Sequence, residues 1–258
     1  GGNHAVADTD EYDASGNSWA SKTNGPSVTA KRQYPIVNTI GEKLYLMGGY
    51  DVGSLDQNDA YSQSGNSWSS KTNMLAANHG AVSGVLNDKI YISCGVGGVE
   101  DTSEYVDDTW TNKSVDGPTK GYVPGMAVGD KLYATHDSGV GEGSTIAPAT
   151  DNEVYDPSAN TWSAIANKGV GMSRTAAFTA NNRLFVATGW GGDAGGKQYM
   201  DTVEEYSVSG NSWATKTVTP TERTDAAAAS LGEGAAAGYV FGDSQSATRD
   251  NDEYSVSG

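Results

Sequence analysis

The chain has 258 residues and a formal charge of −16, from 16 Lys and Arg against 32 Asp and Glu. That balance excludes nucleic acid as a partner, because phosphates demand a basic patch; it favours solubility and attracts divalent cations. One cysteine, Cys94, rules out an intrachain disulfide, and no apolar run is long enough for a membrane-spanning helix, so no membrane insertion is expected.

In chain order, Glu11-Tyr12 leads to Ser15-Gly16-Asn17-Ser18-Trp19, and Ala60-Tyr61 to Ser64-Gly65-Asn66-Ser67-Trp68. Glu104-Tyr105 then leads to Trp110, Tyr155 to Asn160-Thr161-Trp162, and Tyr206 to Ser209-Gly210-Asn211-Ser212-Trp213. A sixth copy, Glu253-Tyr254, reaches Ser257-Gly258. The tryptophan spacings of 49, 42, 52 and 51 residues are those of a propeller or solenoid.

Between these copies lie pairs of short apolar runs. Ile36 to Ile40 precedes the turn Gly41-Glu42-Lys43 and the run Leu44-Tyr45-Leu46-Met47, which ends at Gly48-Gly49. The later pairs turn at Asn87-Asp88-Lys89, Gly129-Asp130-Lys131 and Asn181-Asn182-Arg183. Such runs, joined by Asn, Asp and Gly, predict β-hairpins, and no segment carries sustained helical spacing with caps. Each repeat is therefore a four-stranded antiparallel sheet whose first two strands are the inner ones. Its Tyr and Trp fill the wedge to the next sheet, burying roughly 150–250 Å² each. A sheet that cannot cover both of its own faces must stack around an axis.

A glycine pair, a Tyr and a Trp, here Gly48-Gly49, Tyr61 and Trp68, resemble the kelch motif, and Tyr155-Asp156-Pro157-Ser158-Ala159-Asn160-Thr161-Trp162 is a close local match. The glycine pair becomes Cys94-Gly95 in one repeat, is missing at Thr135-His136, and becomes Gly242-Asp243 in the last. The resemblance implies an all-β, kelch-type β-propeller over the single domain 1–258 and a ligand-binding face, without implying one activity. Five inner hairpins, five Trp strands and six Tyr strands favour five blades; the alternative is six blades with strands missing at the ends. In a five-bladed ring the strand of Trp19 should pair with the blade of the last hairpin, closing it. Starting at Gly1-Gly2, the sequence reads as a segment of a longer chain.

Function is expected where loops vary. The loops after each second strand, and the connections into the next blade, emerge on one side and bring Arg32, Tyr34, Tyr50, His79, Lys120, Tyr122, Arg174, Trp190, Arg223 and Asp225 to one face. Aromatic rings stack on apolar ligand faces and arginine forks a carboxylate, so Arg32, Tyr34, Tyr50, His79, Tyr122, Arg174, Trp190 and Arg223 are the candidate ligand-binding residues. The bland reading is that these arginines pair with acidic neighbours. Trp190, after a glycine, is read as an exposed loop residue outside the wedge.

Catalytic signals are weak. His4, His79 and His136 fall in separate repeats without zinc-type spacing, and no serine nucleophile elbow occurs. The copper oxidases of kelch-like fold need two His, two Tyr and a modified Cys, a set this chain does not supply. Carboxylates such as Asp51, Asp56 and Asp59 match no calcium loop, so no cofactor and no metal are expected. The favoured function is a non-catalytic module binding glycan or protein. Its alternatives are an assembly subunit joined to neighbouring chains and a carbohydrate-active enzyme. Abundant Gly, Ser, Thr, Asn and Asp suit a secreted, cell-surface or virion protein.

Overall fold

The structure, a computed structural model, describes residues 8–13, 15–25, 32–96, 101–113, 117, 121–122, 124–135, 150–191, 198–230, 237–242 and 251–256. Among them every regular element is a strand, in the order expected from the repeats. An N-terminal hairpin joins β1 (Asp10–Asp13) to β2 (Ser18–Ser21). Blade one is β3 (Ile36–Ile40), β4 (Lys43–Met47), β5 (Asn58–Ser62) and β6 (Ser67–Lys71). Blade two is β7 (Val82–Leu86), β8 (Lys89–Ser93), β9 (Ser103–Val106) and β10 (Thr109–Asn112). Blade three is β11 (Gly125–Val128), β12 (Lys131–Thr135), β13 (Asn152–Asp156) and β14 (Thr161–Ile165). Blade four has a two-residue β15 (Met172–Ser173) before β16 (Ala176–Ala180), β17 (Arg183–Gly191), β18 (Gln198–Ser207) and β19 (Ser212–Thr215). In blade five, β20 (Ala227–Ser230), β21 (Ala237–Phe241) and β22 (Asn251–Ser255) are described. Pairing between successive main strands of each blade is antiparallel, and the five blades form a five-bladed β-propeller.

The turns follow from residue chemistry. Asn87-Asp88, Asp107-Asp108 and Asn181-Asn182 have both central residues at positive φ, as a two-residue type I′ hairpin requires. In the longer Tyr-to-Trp turns the asparagine is left-handed and its side chain takes the Tyr hydroxyl. Tyr12, Tyr61, Tyr155 and Tyr206 donate to Oδ1 of Asn17, Asn66, Asn160 and Asn211 at 2.9, 2.8, 2.7 and 2.9 Å. In blade two Asp108 takes this role for Tyr105 at 3.0 Å. The same acceptor often ties the hairpin to its neighbour: Asn66 Oδ1 also accepts from the Thr23 amide at 2.9 Å, and Asn211 Oδ1 from that of Ala166 at 2.8 Å.

The wedge between blades is aromatic, as the repeat predicted. Tyr45 packs on Tyr105, Tyr91 on Tyr155, Tyr133 on Tyr206 and Phe185 on Tyr254, with ring centroids 5.6, 5.8, 5.6 and 5.9 Å apart. Each wedge joins the second strand of one blade to the third strand of the next. The Trp indole bonds backward as well: Trp68, Trp110 and Trp213 Nε1 donate to the carbonyls of Thr23, Thr72 and Ala166 at 3.1, 3.0 and 2.8 Å.

The N-terminal hairpin meets the last blade in a different way from the one expected. Tyr12 lies 6.4 Å from Tyr239 and 6.3 Å from Phe241, and Trp19 lies 6.2 Å from Phe241. The contact is between side-chain rings, tilted or edge-on. Among the described residues no ladder joins β1–β2 to β20–β22; the two strands of the hairpin pair with each other, and β22 ends its own sheet. On its other side the hairpin reaches blade one through Thr23, so it lies between the fifth and first blades.

Cys94 stands where blade one has Gly48, and both are left-handed, at φ 52° and 54°. The thiol is buried, packs with Val82, Leu132 and Tyr155, and its pKa is pushed up to about 12 by that burial. The native protein should therefore resist a thiol-specific reagent at pH 8 and release one reactive thiol only on unfolding. Rapid stoichiometric labelling of the native protein would place the side chain at the surface.

Candidate functional site

One residue precedes the first inner strand of each blade: Tyr34, Gly80, Tyr122, Arg174 and Asp225. All five have left-handed backbones, with φ of 51°, 60°, 54°, 53° and 53°. Neighbouring positions are joined through the main chain: the Gly80 amide donates to the Tyr34 carbonyl at 3.1 Å and the Asp225 amide to the Arg174 carbonyl at 3.1 Å. The five, with Pro35, Ala81, Pro124, Thr175 and Ala226, line one open hollow of about 200 Å³, to which all five blades contribute. This is the mouth of the central channel. Left-handed backbone is unfavourable for Tyr and Arg, and a recurrence of such strain is a recognised mark of a functional region. Gly80 is the member with no side chain; a Cβ there would come within 3.2 Å of the Tyr122 amide nitrogen.

One wall of the mouth is aromatic. Tyr34 and Tyr122 meet edge to face with centroids 4.9 Å apart. Behind them lies His79, 4% exposed, with its ring 5.7 Å from Tyr122, 6.4 Å from Tyr34 and 5.1 Å from Tyr50. His79 Nδ1 is 3.0 Å from the Ser54 hydroxyl and Nε2 is 3.4 Å from the Tyr122 hydroxyl. Burial holds the imidazole below its ordinary pKa, so it is neutral at pH 7. The Tyr34 hydroxyl is pushed up by burial and then by the Asp225 charge, against a smaller opposing effect of Arg174. Burial and the neighbouring Tyr34 do the same for Tyr122. Both phenols therefore stay protonated donors. The opposite wall is the ion pair of Arg174 Nη1 with Asp225 Oδ2, at 3.2 Å.

Of the eight sequence candidates, Tyr34, Tyr50, His79, Tyr122 and Arg174 gather at or immediately behind the mouth. Arg32 and Arg223 do not reach it. Each lies two residues before a mouth residue and turns into its own blade. Arg32 bonds the Leu46 carbonyl at 3.0 Å and pairs with Asp59, and Arg223, completely buried, bonds the Gly242 carbonyl at 3.0 Å and pairs with Asp252. Trp190 is also corrected. It is 6% exposed, not an exposed loop residue, because β17 does not stop at the glycine. A bulge at Thr188, between Ala187 and Gly189, lets the strand continue, so that Trp190 sits between Ser173 of β15 and Tyr199 of β18. Trp19, expected in a wedge, is 57% exposed.

Sequence reading passed over Ser54 and the lining residues Pro35 and Pro124, and it named Asp225 without selecting it. Their signal was positional, since each lining proline directly follows or nearly follows the left-handed residue. Asp59 is occupied by Arg32 and by the Ser70 hydroxyl at 3.1 Å. Among the described residues no group of three or more His, Cys, Asp or Glu could hold a metal ion. Lys120, His4, His136 and the loop segments 137–149, 192–197 and 243–250 lie outside the described residues.

Residues 37–75, most of blade one, match the kelch motif model. The chain is similar to a solved structure described as "Structure of YjhT", with a TM-score of 0.72 and 16% identity over 91% of this chain and 84% of that one. At that identity the likeness concerns the fold. No curated protein matches the chain. Blade one carries a kelch motif, the wedge aromatics and turn asparagines recur in equivalent places in the other blades, and the chain has the fold of a kelch-type β-propeller.

Proposed function

We propose that this propeller is a non-catalytic binding module that recognises a glycan or a protein at the channel mouth, in a secreted, cell-surface or virion setting. A kelch propeller is in general a binding platform. The observation that carries the site is the convergence of five left-handed residues, one from each blade, on a single hollow. The inner hairpin turns with Lys43, Lys89 and Lys131 are near-uniform, whereas the mouth residues differ from blade to blade: Tyr, Gly, Tyr, Arg and Asp. Difference between equivalent positions on a rigid scaffold is what selective recognition needs.

A glycan array and capture of surface proteins would supply the ligand. Alanine at Arg174 or Tyr122 should then weaken binding about tenfold or more, the scale of losing one well-placed contact. Alanine at Lys43 or Lys89 should leave binding unchanged. The opposite pattern would move the site to the hairpin-turn face.

A further inference from the structure

We infer that the mouth takes a neutral saccharide, with the C–H face of one pyranose ring against Tyr34 and its hydroxyls divided between Arg174 and Asp225. This rests on the mouth being the binding site.

The first support is the aromatic wall. Tyr34 is 37% exposed, yet its ring is seated on Tyr122 at 4.9 Å, and Tyr122 is in turn held by His79, itself tied to Ser54. A platform fixed from behind loses little freedom when a ligand stacks on it. Because the two rings already touch, they leave no gap between their faces in which an ammonium group could be enclosed, so the wall suits a flat apolar surface better than a cation.

The second support is the polar pair. A sugar hydroxyl both donates and accepts, and two on adjacent carbons are matched by a guanidinium that donates beside a carboxylate that accepts. Arg174 and Asp225 supply that combination at 3.2 Å from one another, with side chains 39% and 15% exposed. Their formal charges cancel. An anionic ligand gains nothing net from the pair, meets a carboxylate whose influence at Tyr34 exceeds that of the guanidinium, and approaches a chain of charge −16. Asp225 already takes one arm of the Arg174 guanidinium, which favours hydroxyls over a ligand carboxylate as the group it meets. The open hollow, at about 200 Å³, is smaller than a drug-sized pocket, which suits one sugar ring and not an enclosed larger ligand.

The test is titration, by calorimetry and saturation-transfer NMR, with lactose, cellobiose and N,N′-diacetylchitobiose as neutral probes and 3′-sialyllactose as the acidic one. At least one neutral disaccharide should bind, with an affinity that changes less than about twofold between low and high salt, because no net charge is neutralised. Tyr34→Ala should weaken it about tenfold or more, whereas Tyr34→Phe, which keeps the stacking face, should stay within about threefold. Thermal melting of both variants separates lost binding from lost folding. Tighter, salt-sensitive binding of 3′-sialyllactose than of lactose would overturn the inference, as would failure of every neutral probe. If the neutral probes fail but a captured surface protein loses binding on Arg174→Ala, the saccharide class falls and the mouth remains the site. If neither Tyr34→Ala nor Arg174→Ala alters any binding event, the mouth itself is excluded.

Discussion

Replacing Arg223 with alanine is expected to destabilise the protein by about 3–5 kcal/mol, because truncating one partner of a buried ion pair strands the other. The guanidinium is completely buried, and its removal leaves the Asp252 carboxylate and the Gly242 carbonyl without it. Arg174→Ala should cost no more than about 1 kcal/mol, since its pair with Asp225 is partly solvated and such pairs are weak. A double variant, Arg223→Met with Asp252→Leu, should recover part of the loss by replacing the pair with apolar volume. Urea unfolding of the three variants measures this. Equal midpoints for Arg223→Ala and Arg174→Ala would show that Arg223 lies at the surface. The distinction bears on function, because only an arginine that can be removed without unfolding the blade can be tested as a ligand contact.

Trp190→Ala is expected to cost about 3–5 kcal/mol, the range for large-to-small changes in a core. Trp19→Ala should cost less than about 1 kcal/mol, as substitutions at exposed positions do. The difference follows from 6% against 57% exposure. It also follows from setting: Trp190 is held between two strands of blade four, whereas Trp19 lies on a two-stranded hairpin, where its ring meets Phe241 of blade five and its own neighbour Tyr12. Thermal or urea melts of the two variants would decide it, and a larger loss for Trp19→Ala would return Trp190 to a mobile loop.

These two cases show where sequence reading stops. Trp190 follows Gly189 and precedes Gly191-Gly192, a composition that locally signals a loop. That the strand continues depends on a bulge at Thr188 and on a partner segment at Gln198–Met200, and neither is encoded within the window a local pattern can see. Arg32 and Tyr34 pose the same problem at shorter range. Two residues apart in a regular strand, they would share a face. The left-handed residue at 34 breaks that alternation, so Tyr34 turns to the channel while Arg32 turns into the blade.

What the chain states locally proved sufficient for the architecture. Short alternating runs, turns whose Asn, Asp and Gly tolerate positive φ, and one Tyr and one Trp at a fixed spacing are each short-range demands. Repeated along the chain they lead to blades, because a single sheet cannot bury both of its faces. The composition of the mouth was a matter for tertiary structure alone. Tyr34, Gly80, Tyr122, Arg174 and Asp225 are separated by four blades' worth of sequence, and the stacking of the blades around one axis is what brings them to one hollow. It also decides which arginine is spent on a neighbouring carboxylate inside the blade and which is left half exposed at the channel, since that depends on the direction of a side chain at a strained residue and not on its identity.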